Sequence, residues 1–212
     1  VYEKGDDTIY SDLGYILLGF IIEEKTGQTL DGFWAKNIVE PLGLERHLMF
    51  PSPSMKKGLF AATRSFEKQI LHGIVHDDNC RAMGGVGGHA GLFGTAHGVL
   101  TICQELIRVM KGKKSRLPFS SQTLRYACAR VEMSEWTAGF NLPSKQNSSS
   151  GTYLSEKSIG HLGFTGTSLW IDPIKQLAVV FLTNRVIKGE DQSGIKELRP
   201  FIHDYIIKGM NM

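Results

Sequence analysis

The sequence predicts an α+β fold in which helices come first and paired strands follow near the carboxyl end. Residues 13–21 and 195–206 both repeat apolar side chains at the spacing of a helix. Between them, residues 159–173 and 177–183 form two strand-like runs. An Asp-Pro pair at 172–173 separates these runs and favours a turn, because proline fixes a backbone angle that turns require.

Capping residues predict where the helices of the first half begin and end. A side-chain oxygen before a helix accepts hydrogen bonds from its first backbone N–H groups, and a glycine after it allows the chain to turn away. A second helix, over about residues 30–40, is expected to carry Leu30, Phe33 and Trp34 on one side. The expected caps are Ser11 or Asp12, Thr95, and Ser120 or Ser121, and the expected stops are Gly27, the Pro-Leu-Gly-Leu run 41–44, and Gly112.

Other stretches lack a helical pattern. Residues 50–74 are interrupted by prolines and glycine and are expected to form a long loop. Residues 84–95 contain so many glycines that a regular helix or strand there would be costly, and we expect the wall of a pocket. A short strand is expected over Trp136–Phe140, and residues 142–151 are expected to form a surface loop.

The run Ile159–Pro173 is interpreted as one strand with glycines at its entrance. Glycine in a strand often marks close approach of a ligand or of another backbone. Residues 177–183 are almost continuously apolar, so this partner strand should be buried on both faces. His161 then lies beside a bare backbone edge.

Composition limits the classes of function. The net charge of +3 over 212 residues is too small to indicate nucleic-acid binding, and no run is long and apolar enough to span a membrane. Cys80, Cys103 and Cys128 are odd in number and widely spaced, so no disulfide framework is expected. The chain begins at Val1 without a signal peptide, which suggests a processed or truncated start and leaves the compartment open between cytoplasm and periplasm.

Two distant motifs point to a family. The run 161–168, His-Leu-Gly-Phe-Thr-Gly-Thr-Ser, is followed by Trp-Ile-Asp-Pro at 170–173, and a Tyr-Ser-Asp triplet at 10–12 opens the first helix. These resemble the His/Lys-Thr-Gly strand and the Tyr-Ser-Asn triplet of penicillin-recognising serine hydrolases. That family contains class C β-lactamases, penicillin-binding proteins, DD-peptidases and related esterases.

The resemblance implies an architecture for nearly the whole chain. It implies an antiparallel β-sheet flanked by helices plus a mostly helical part, within one β-lactamase-like domain over residues 1–212. The helical part would cover about residues 10–135 and the sheet about 136–212. The family's early strands and its nucleophile helix have no counterpart before Tyr10, so we expect a sheet edge without its usual neighbour.

The resemblance also assigns roles to residues. It makes Tyr10 and His161 catalytic, and it makes the backbone N–H of Phe164, at the strand edge, a donor to the oxyanion. Asp12 stands where many members have asparagine, and Leu162 stands where they have threonine. A phenol needs neighbouring positive charge to act as a base near neutral pH. The substrate-binding residues that the resemblance implies are Ser11, Asp12, Leu162, Gly163, Gly88 and His89.

The family's nucleophile is the main departure. It is the serine of a Ser-x-x-Lys turn that lies well before the tyrosine triplet, and no room for it remains before Tyr10. Ser-x-x-Lys occurs at 54–57, 65–68 and 193–196, but none of these opens a helix before Tyr10, so we reject all three. We therefore expect a chain that is inactive alone, or one that a separate amino-terminal segment of its own protein completes.

The expected substrate is a small ester, amide or peptide-like molecule. Leu162 lacks the threonine hydroxyl that helps to hold a substrate carboxylate, so carboxylate-bearing β-lactams should be poor substrates. No cofactor is expected.

Two other functions remain open at this point. His72, His76 and Cys80, with Asp77, Asp78 and His89 nearby, are residue types that bind zinc, although their spacing matches no known closed site. A binding module that keeps the fold without catalysis is the second alternative, because no nucleophile has been identified.

Overall fold

A computed structural model describes residues 9–52, 54–55, 60–64, 67–132, 134–189, 191 and 193–210. The helices are α1 Asp12–Thr26, α2 Leu30–Trp34, α3 Glu40–Leu42, α4 Asp78–Ala82, α5 Ala96–Met110, α6 Ser121–Ala127 and α7 Ser193–Gly209. The strands are β1 Leu48–Met49, β2 Ala62–Arg64, β3 Ile70–His72, β4 Phe93–Gly94, β5 Ile159–Leu162, β6 Ser168–Asp172 and β7 Leu177–Phe181. A π-helical segment, Ala35–Val39, joins α2 to α3, and a 3-10 turn covers Arg185–Ile187. The α+β fold class is confirmed.

The helix caps predicted from the sequence are confirmed. Ser11 precedes α1 and its Oγ accepts from the backbone N–H of Leu13 at 3.2 Å. Thr95 and Ser120 cap α5 and α6 in the same way. Gly27 ends α1 with a left-handed φ of 64°, which a glycine adopts without steric cost. The helix starts were predictable because each cap is a contact within a few residues.

The apolar stripe of α1 faces solvent. Leu13 is 73% exposed, Leu17 59% and Phe20 51%, and among the described residues of α1 only Gly19 is fully buried. An apolar face of this extent usually meets another surface. The residues described here do not cover it.

The central sheet has the strand order β5-β6-β7, with both pairs antiparallel. The interpretation of Ile159–Pro173 as a single strand is wrong, because the chain reverses between β5 and β6. The Gly163 N–H donates to the Thr167 carbonyl at 2.8 Å, and Gly166 has a φ of 101° that other residues rarely adopt. Gly163 and Gly166 thus form a tight turn, whereas Gly160 lies within β5.

The turn at 172–173 is confirmed. The Asp172 side chain is fully buried, and its carboxylate accepts from the N–H groups of Ile174 at 2.9 Å and Lys175 at 3.0 Å. Burial raises the pKa of this carboxyl. Hydrogen bonds from Lys175, Ser155 and Ile174 lower it by more, so the pKa lies below its ordinary value.

Strand β7 packs on both sides, as its apolar run predicted. Leu177 and Val179 join a core cluster with Trp170 and Ile207. Ala178 and Val180, on the opposite face, pack against a cluster built on α5 and α6. Among the described strands, β7 pairs with β6 alone, so its other edge is open, as expected.

Two predictions for the segments outside this sheet are wrong. Residues 50–74 contain an antiparallel hairpin, β2–β3, in which Thr63 is opposite Leu71, and not only a loop. Three-residue strands are too short to show a period. Trp136–Phe140 forms isolated bridges and a tight turn, in which the Thr137 N–H donates to Phe140 O at 2.8 Å, and not a strand.

The predicted last helix is present as α7, and its buried face is partly polar. The residues of α7 that face inward and are buried are Ile195, Arg199, His203 and Ile207. Phe201 and Tyr205, which belong to the predicted apolar stripe, are 64% and 68% exposed. Pro200 lies inside α7. The inward face is half polar because its side chains bond backbone carbonyls of the sheet region.

The three cysteines are free thiols, and Cys80 and Cys103 are buried. Burial raises the pKa of Cys103 to about 12, and burial raises that of Cys80 and of Cys128 to about 11. Among the described residues, no helix has the length and apolar content that crossing a bilayer requires.

A buried carboxylate anchors α5, the helix behind the sheet. Glu105 has no exposed side-chain surface, and its oxygens accept from Arg108 at 2.8 and 2.9 Å and from Arg116 at 2.8 Å. Burial raises its pKa, but the hydrogen bonds from Arg108 and Arg116 lower it more strongly, to about 2. The folded protein therefore binds the ionised form.

We expect Glu105→Gln to lower the free energy of unfolding by about 2–3 kcal/mol at pH 7, because it removes the charge that two guanidinium groups bind. In the wild type this contribution should be complete above the ordinary pKa of about 4.5 and decline as the pH falls towards about 2. Urea unfolding at several pH values measures both the loss of unfolding free energy and its dependence on pH. Glu197→Gln, on the exposed side of α7, is the matched control and should change stability by less than about 0.5 kcal/mol. Equal effects of the two substitutions would contradict this account.

Candidate active site

The structure brings Tyr10 and His161 together. Their ring centroids lie 6.2 Å apart with an angle of 43° between the ring planes. Tyr10 immediately precedes the cap of α1, and His161 lies on β5, so the contact joins residues 151 positions apart (161 − 10). Tyr15 meets the same imidazole edge-on at 6.5 Å, and Trp136 lies 6.4 Å from the Tyr10 ring.

A hydrogen bond to the backbone defines the tautomer of His161. Its Nδ1 lies 2.9 Å from the Leu162 carbonyl oxygen, which can only accept. Nδ1 therefore carries a proton, and in the neutral ring Nε2 is the acceptor. Strand register fixes the ring's position, because the neighbouring Gly160 lies opposite the fully buried Trp170 and any side chain at Gly160 would collide with the indole.

The surroundings of Tyr10 favour the protonated phenol. Burial raises its pKa, and the negative charges of Asp12 and of ionised Tyr15 raise it further. At neutral pH the Tyr10 hydroxyl is therefore a hydrogen-bond donor. Among the described residues, none that affects Tyr10 supplies the positive charge that a phenolate base would require.

Ser11 and Asp12 occupy the first turn of α1. Ser11 Oγ is used as the helix cap, and Asp12 is close enough to Tyr10 to influence its ionisation. Both residues therefore lie beside Tyr10, and each has a local structural role there.

Phe164 lies in the β5–β6 turn and not on a strand edge. Leu162, at the end of β5, pairs with Ser168, and Gly163 then begins the turn. A side chain at Gly163 would collide with the Thr167 hydroxyl unless that side chain moved. The backbone N–H of Phe164 has no hydrogen-bond acceptor among the described residues.

The Phe164 side chain lies between two groups that the sequence analysis did not connect with it. The His76 ring stacks on it at 5.4 Å with an angle of 16°, and the Arg185 guanidinium lies 4.7 Å from its centroid. The Phe164 ring is nevertheless 52% exposed. These contacts fix the outer side of the turn.

Arg199 holds the same turn from inside. It is 6% exposed, and its guanidinium donates to the carbonyls of Gly166 at 3.2 Å, Gly163 at 2.7 Å and Thr167 at 2.9 Å. Sequence reasoning missed this residue, since it belongs to no motif. The signal available was an arginine four residues from Ile195 and from His203, a spacing that places all three on one face of a helix.

Gly88 and His89 serve the packing of the glycine-rich loop. A side chain at Gly88 would collide with the Tyr15 carbonyl, so glycine allows this loop to touch the backbone of α1. His89 has a side chain only 2% exposed, and its Nε2 lies 2.9 Å from Asp77 Oδ1. Asp77 also caps α4 by accepting from the Cys80 N–H at 2.7 Å. The structure thus ties His89 to Asp77 and not to the pair formed by Tyr10 and His161.

The residues suggested for a metal do not form a site. His72 lies on β3, His76 stacks on Phe164, and the Cys80 thiol lies 3.2 Å from the Ala90 carbonyl, to which it donates. Within the described ranges, no three His, Cys, Asp or Glu residues are placed to hold one ion. The zinc interpretation of His72, His76 and Cys80 is not supported by the structure.

The Ser-x-x-Lys matches give no described nucleophile at this site. Lys57 and Ser65, which complete the first two, lie outside the described residues. Ser193 and Lys196 are exposed on the first turn of α7, where Ser193 Oγ donates to Asp191 at 2.8 Å. The described residues offer a proton donor at Tyr10, an imidazole acceptor at His161 and, in the β5–β6 turn, a backbone N–H of Phe164 without an acceptor, which are groups that acyl transfer uses.

Comparisons with known proteins identify the family of the chain. A family model described as Beta-lactamase matches residues 1–199. A putative D-alanyl-D-alanine carboxypeptidase of Escherichia coli O157:H7 is 32% identical over 205 residues, which cover 87% of this chain and 46% of that protein. An N-acetylmuramyl-L-alanine amidase of Bacillus subtilis (strain 168) is 33% identical over 221 residues, which cover 92% of this chain and 49% of the relative.

The fold also matches a solved structure. A beta-lactamase from Mycobacterium bovis superimposes with a TM-score of 0.65 at 19% identity, covering 96% of this chain and 65% of that one. The chain spans about half the length of the two curated relatives. From the family match and these relatives, the chain belongs to the beta-lactamase family.

Proposed function

We propose that this chain supplies the tyrosine, the imidazole and the oxyanion turn of an acyl-transferring serine hydrolase. A serine from outside residues 1–212 is the nucleophile in this proposal. The observation that carries it is the 6.2 Å approach of Tyr10 to His161, two residues that come from distant parts of the chain. We favour a hydrolase over a binding module because a protonated phenol in contact with an imidazole acceptor, and an unbonded Phe164 N–H two residues beyond β5, are groups that acyl transfer uses.

The exposed face of α1 supports an external source for the serine. Leu13 and Leu17 lie one and two helical turns from Tyr10, and both are more than half exposed. The chain corresponds to only 46% of its carboxypeptidase relative. In our proposal a further segment covers this apolar face and places its serine beside Tyr10 and His161.

The residues then divide the chemistry as follows. The serine Oγ attacks the acyl carbonyl, and its proton passes to Nε2 of His161. The Phe164 N–H stabilises the oxyanion that forms, and the Tyr10 hydroxyl donates a hydrogen bond within the same site. Collapse of the intermediate breaks the bond to the leaving group, which takes the proton from Nε2, and an acyl-serine ester remains. Water then repeats the sequence, with His161 accepting its proton, and releases the acid and the free serine.

The substrate side of the site favours an uncharged acyl group. Leu162 supplies no hydroxyl at the end of β5, and Asp12 presents a carboxylate beside Tyr10. A carboxylate-bearing substrate would meet an apolar group and a like charge. We therefore propose a neutral ester or amide, including peptide-like amides, as the substrate class.

Covalent labelling tests this function. Residues 1–212 alone should not react with a fluorophosphonate probe. The product of the complete reading frame should react at one serine that lies outside residues 1–212, as peptide mapping by mass spectrometry would show.

Two results of the labelling experiment would overturn parts of the proposal. Label on a serine within residues 1–212 would overturn the external nucleophile. Absence of label on both proteins, together with absence of turnover of acyl esters, would overturn the hydrolase and favour a binding module of the same fold.

We also expect the complete protein to turn over a simple acyl ester at least about 100-fold more efficiently, in kcat/KM, than a β-lactam. Leu162→Thr restores a hydroxyl at the end of β5 and should raise the β-lactam kcat/KM by about 10-fold, with little effect on the ester. Leu182→Thr, the same substitution at a position 38% exposed beyond β7, should change neither. A wild-type protein that prefers the β-lactam would refute the proposed substrate class.

A further inference from the structure

Arg199 is a buried cation without a carboxylate partner. Its residue exposure is 6%, and within the described part of the chain it forms no ion pair. Burial lowers its pKa, and the neighbouring charge of Arg185 lowers it further. Burying an unpaired charge is costly unless hydrogen bonds replace its water. Here three backbone carbonyls of one turn replace that water.

The shortest of these bonds reaches one particular peptide group. Arg199 Nη2 donates to the Gly163 carbonyl at 2.7 Å, and that carbonyl belongs to the peptide whose N–H is that of Phe164. A trans peptide is planar and its C=O and N–H point in opposite directions. A guanidinium fixed on the carbonyl side therefore directs the Phe164 N–H away from α7.

The bond also changes the strength of the donor. Hydrogen bonds in a chain polarise one another, so a cation on the carbonyl oxygen increases the partial positive charge on the N–H of the same peptide. This N–H has no acceptor among the described residues. It is thus oriented, polarised and available.

We propose that Arg199 is a positioning residue that orients and polarises the Phe164 N–H for the oxyanion, from the side of the turn opposite to the substrate. The inference rests on the proposed hydrolase function. Arg199 touches no substrate atom in this account. Its effect on catalysis passes through the Gly163–Phe164 peptide.

A positioning role differs measurably from a structural one. An oxyanion donor acts in the transition state, so its loss lowers kcat and leaves KM almost unchanged. A residue that only stabilised the fold would reduce the amount of folded protein without changing kcat per folded molecule. Lysine cannot replace arginine here, because a single ammonium does not reproduce a planar fork that reaches three carbonyls.

The experiment uses the product of the complete reading frame, with an acyl ester as substrate. Arg199→Lys keeps the buried charge, and Arg199→Ala leaves room for an added guanidinium ion. We expect kcat to fall by about 10- to 100-fold in both, with KM within about 3-fold of the wild type. Guanidinium, at concentrations that leave the wild type folded, should restore part of the kcat of Arg199→Ala and none of that of Arg199→Lys. Lys196→Met, on the exposed side of the same helix, is the control and should keep its kcat.

The outcomes separate this inference from the function on which it rests. Turnover by the wild type with unchanged kcat in a folded Arg199→Lys variant would overturn the role of Arg199 and leave the hydrolase intact. An increase in KM alone would also overturn it. No turnover by the wild type would overturn the proposed function and this inference with it. If Arg199→Ala does not fold, the kcat of Arg199→Lys decides.

Discussion

The contact between α1 and the glycine-rich loop determines where Tyr10 lies. At Gly88 the loop touches the Tyr15 carbonyl so closely that any side chain would collide with it, and Gly19 is the buried residue on the facing side of α1. Helix α1 buries little else, since most of its apolar side chains are exposed. A backbone contact between two glycines therefore holds the helix whose first turn meets His161. The glycine-rich stretch was predicted as a pocket wall, and Val86, Gly87 and Gly88 do line a cavity of about 410 Å³ beside Gly19 of α1.

The β5–β6 turn, the second component of the site, is held by side chains of α7. Helix α7 turns arginine and histidine inward, where Arg199 binds the β5–β6 turn and His203 lies 2.9 Å from the Ser168 hydroxyl on β6. Buried polar groups of this kind are stable when each finds a partner. The apolar residues of α7 are consequently left outside, in the same way as those of α1. Both helices thus present apolar surface that the described residues do not cover.

Sequence reasoning succeeded where the cause is local. Caps at Ser11, Thr95 and Ser120, and the Asp172 turn, depend on contacts within three or four residues. The two family motifs also identified Tyr10 and His161, although their contact crosses most of the chain. Local spacing and capping patterns could not have predicted this long-range contact.

The failures have a common physical origin. The apolar pattern of α7 did not predict its buried face. Arg199 is buried there because the carbonyls of the turn 163–167 accept its hydrogen bonds, and no local sequence pattern predicts that contact. The reversal between β5 and β6 depends on the left-handed φ of Gly166, and a run of glycines is compatible with either a strand or a turn. In both cases a tertiary contact outweighed the local periodicity.

The central claim is that Tyr10 and His161 act in one catalytic site, and removal of a single oxygen tests it most directly. Tyr10→Phe keeps the ring that contacts His161 and removes the hydroxyl, whereas Tyr126→Phe makes the same change on α6 at a position 78% exposed. The measurement is steady-state hydrolysis of an acyl ester by the product of the complete reading frame. The account predicts that Tyr10→Phe lowers kcat by about 100-fold while Tyr126→Phe leaves it unchanged. If Tyr10→Phe keeps its kcat within about 3-fold of the wild type, the account is contradicted.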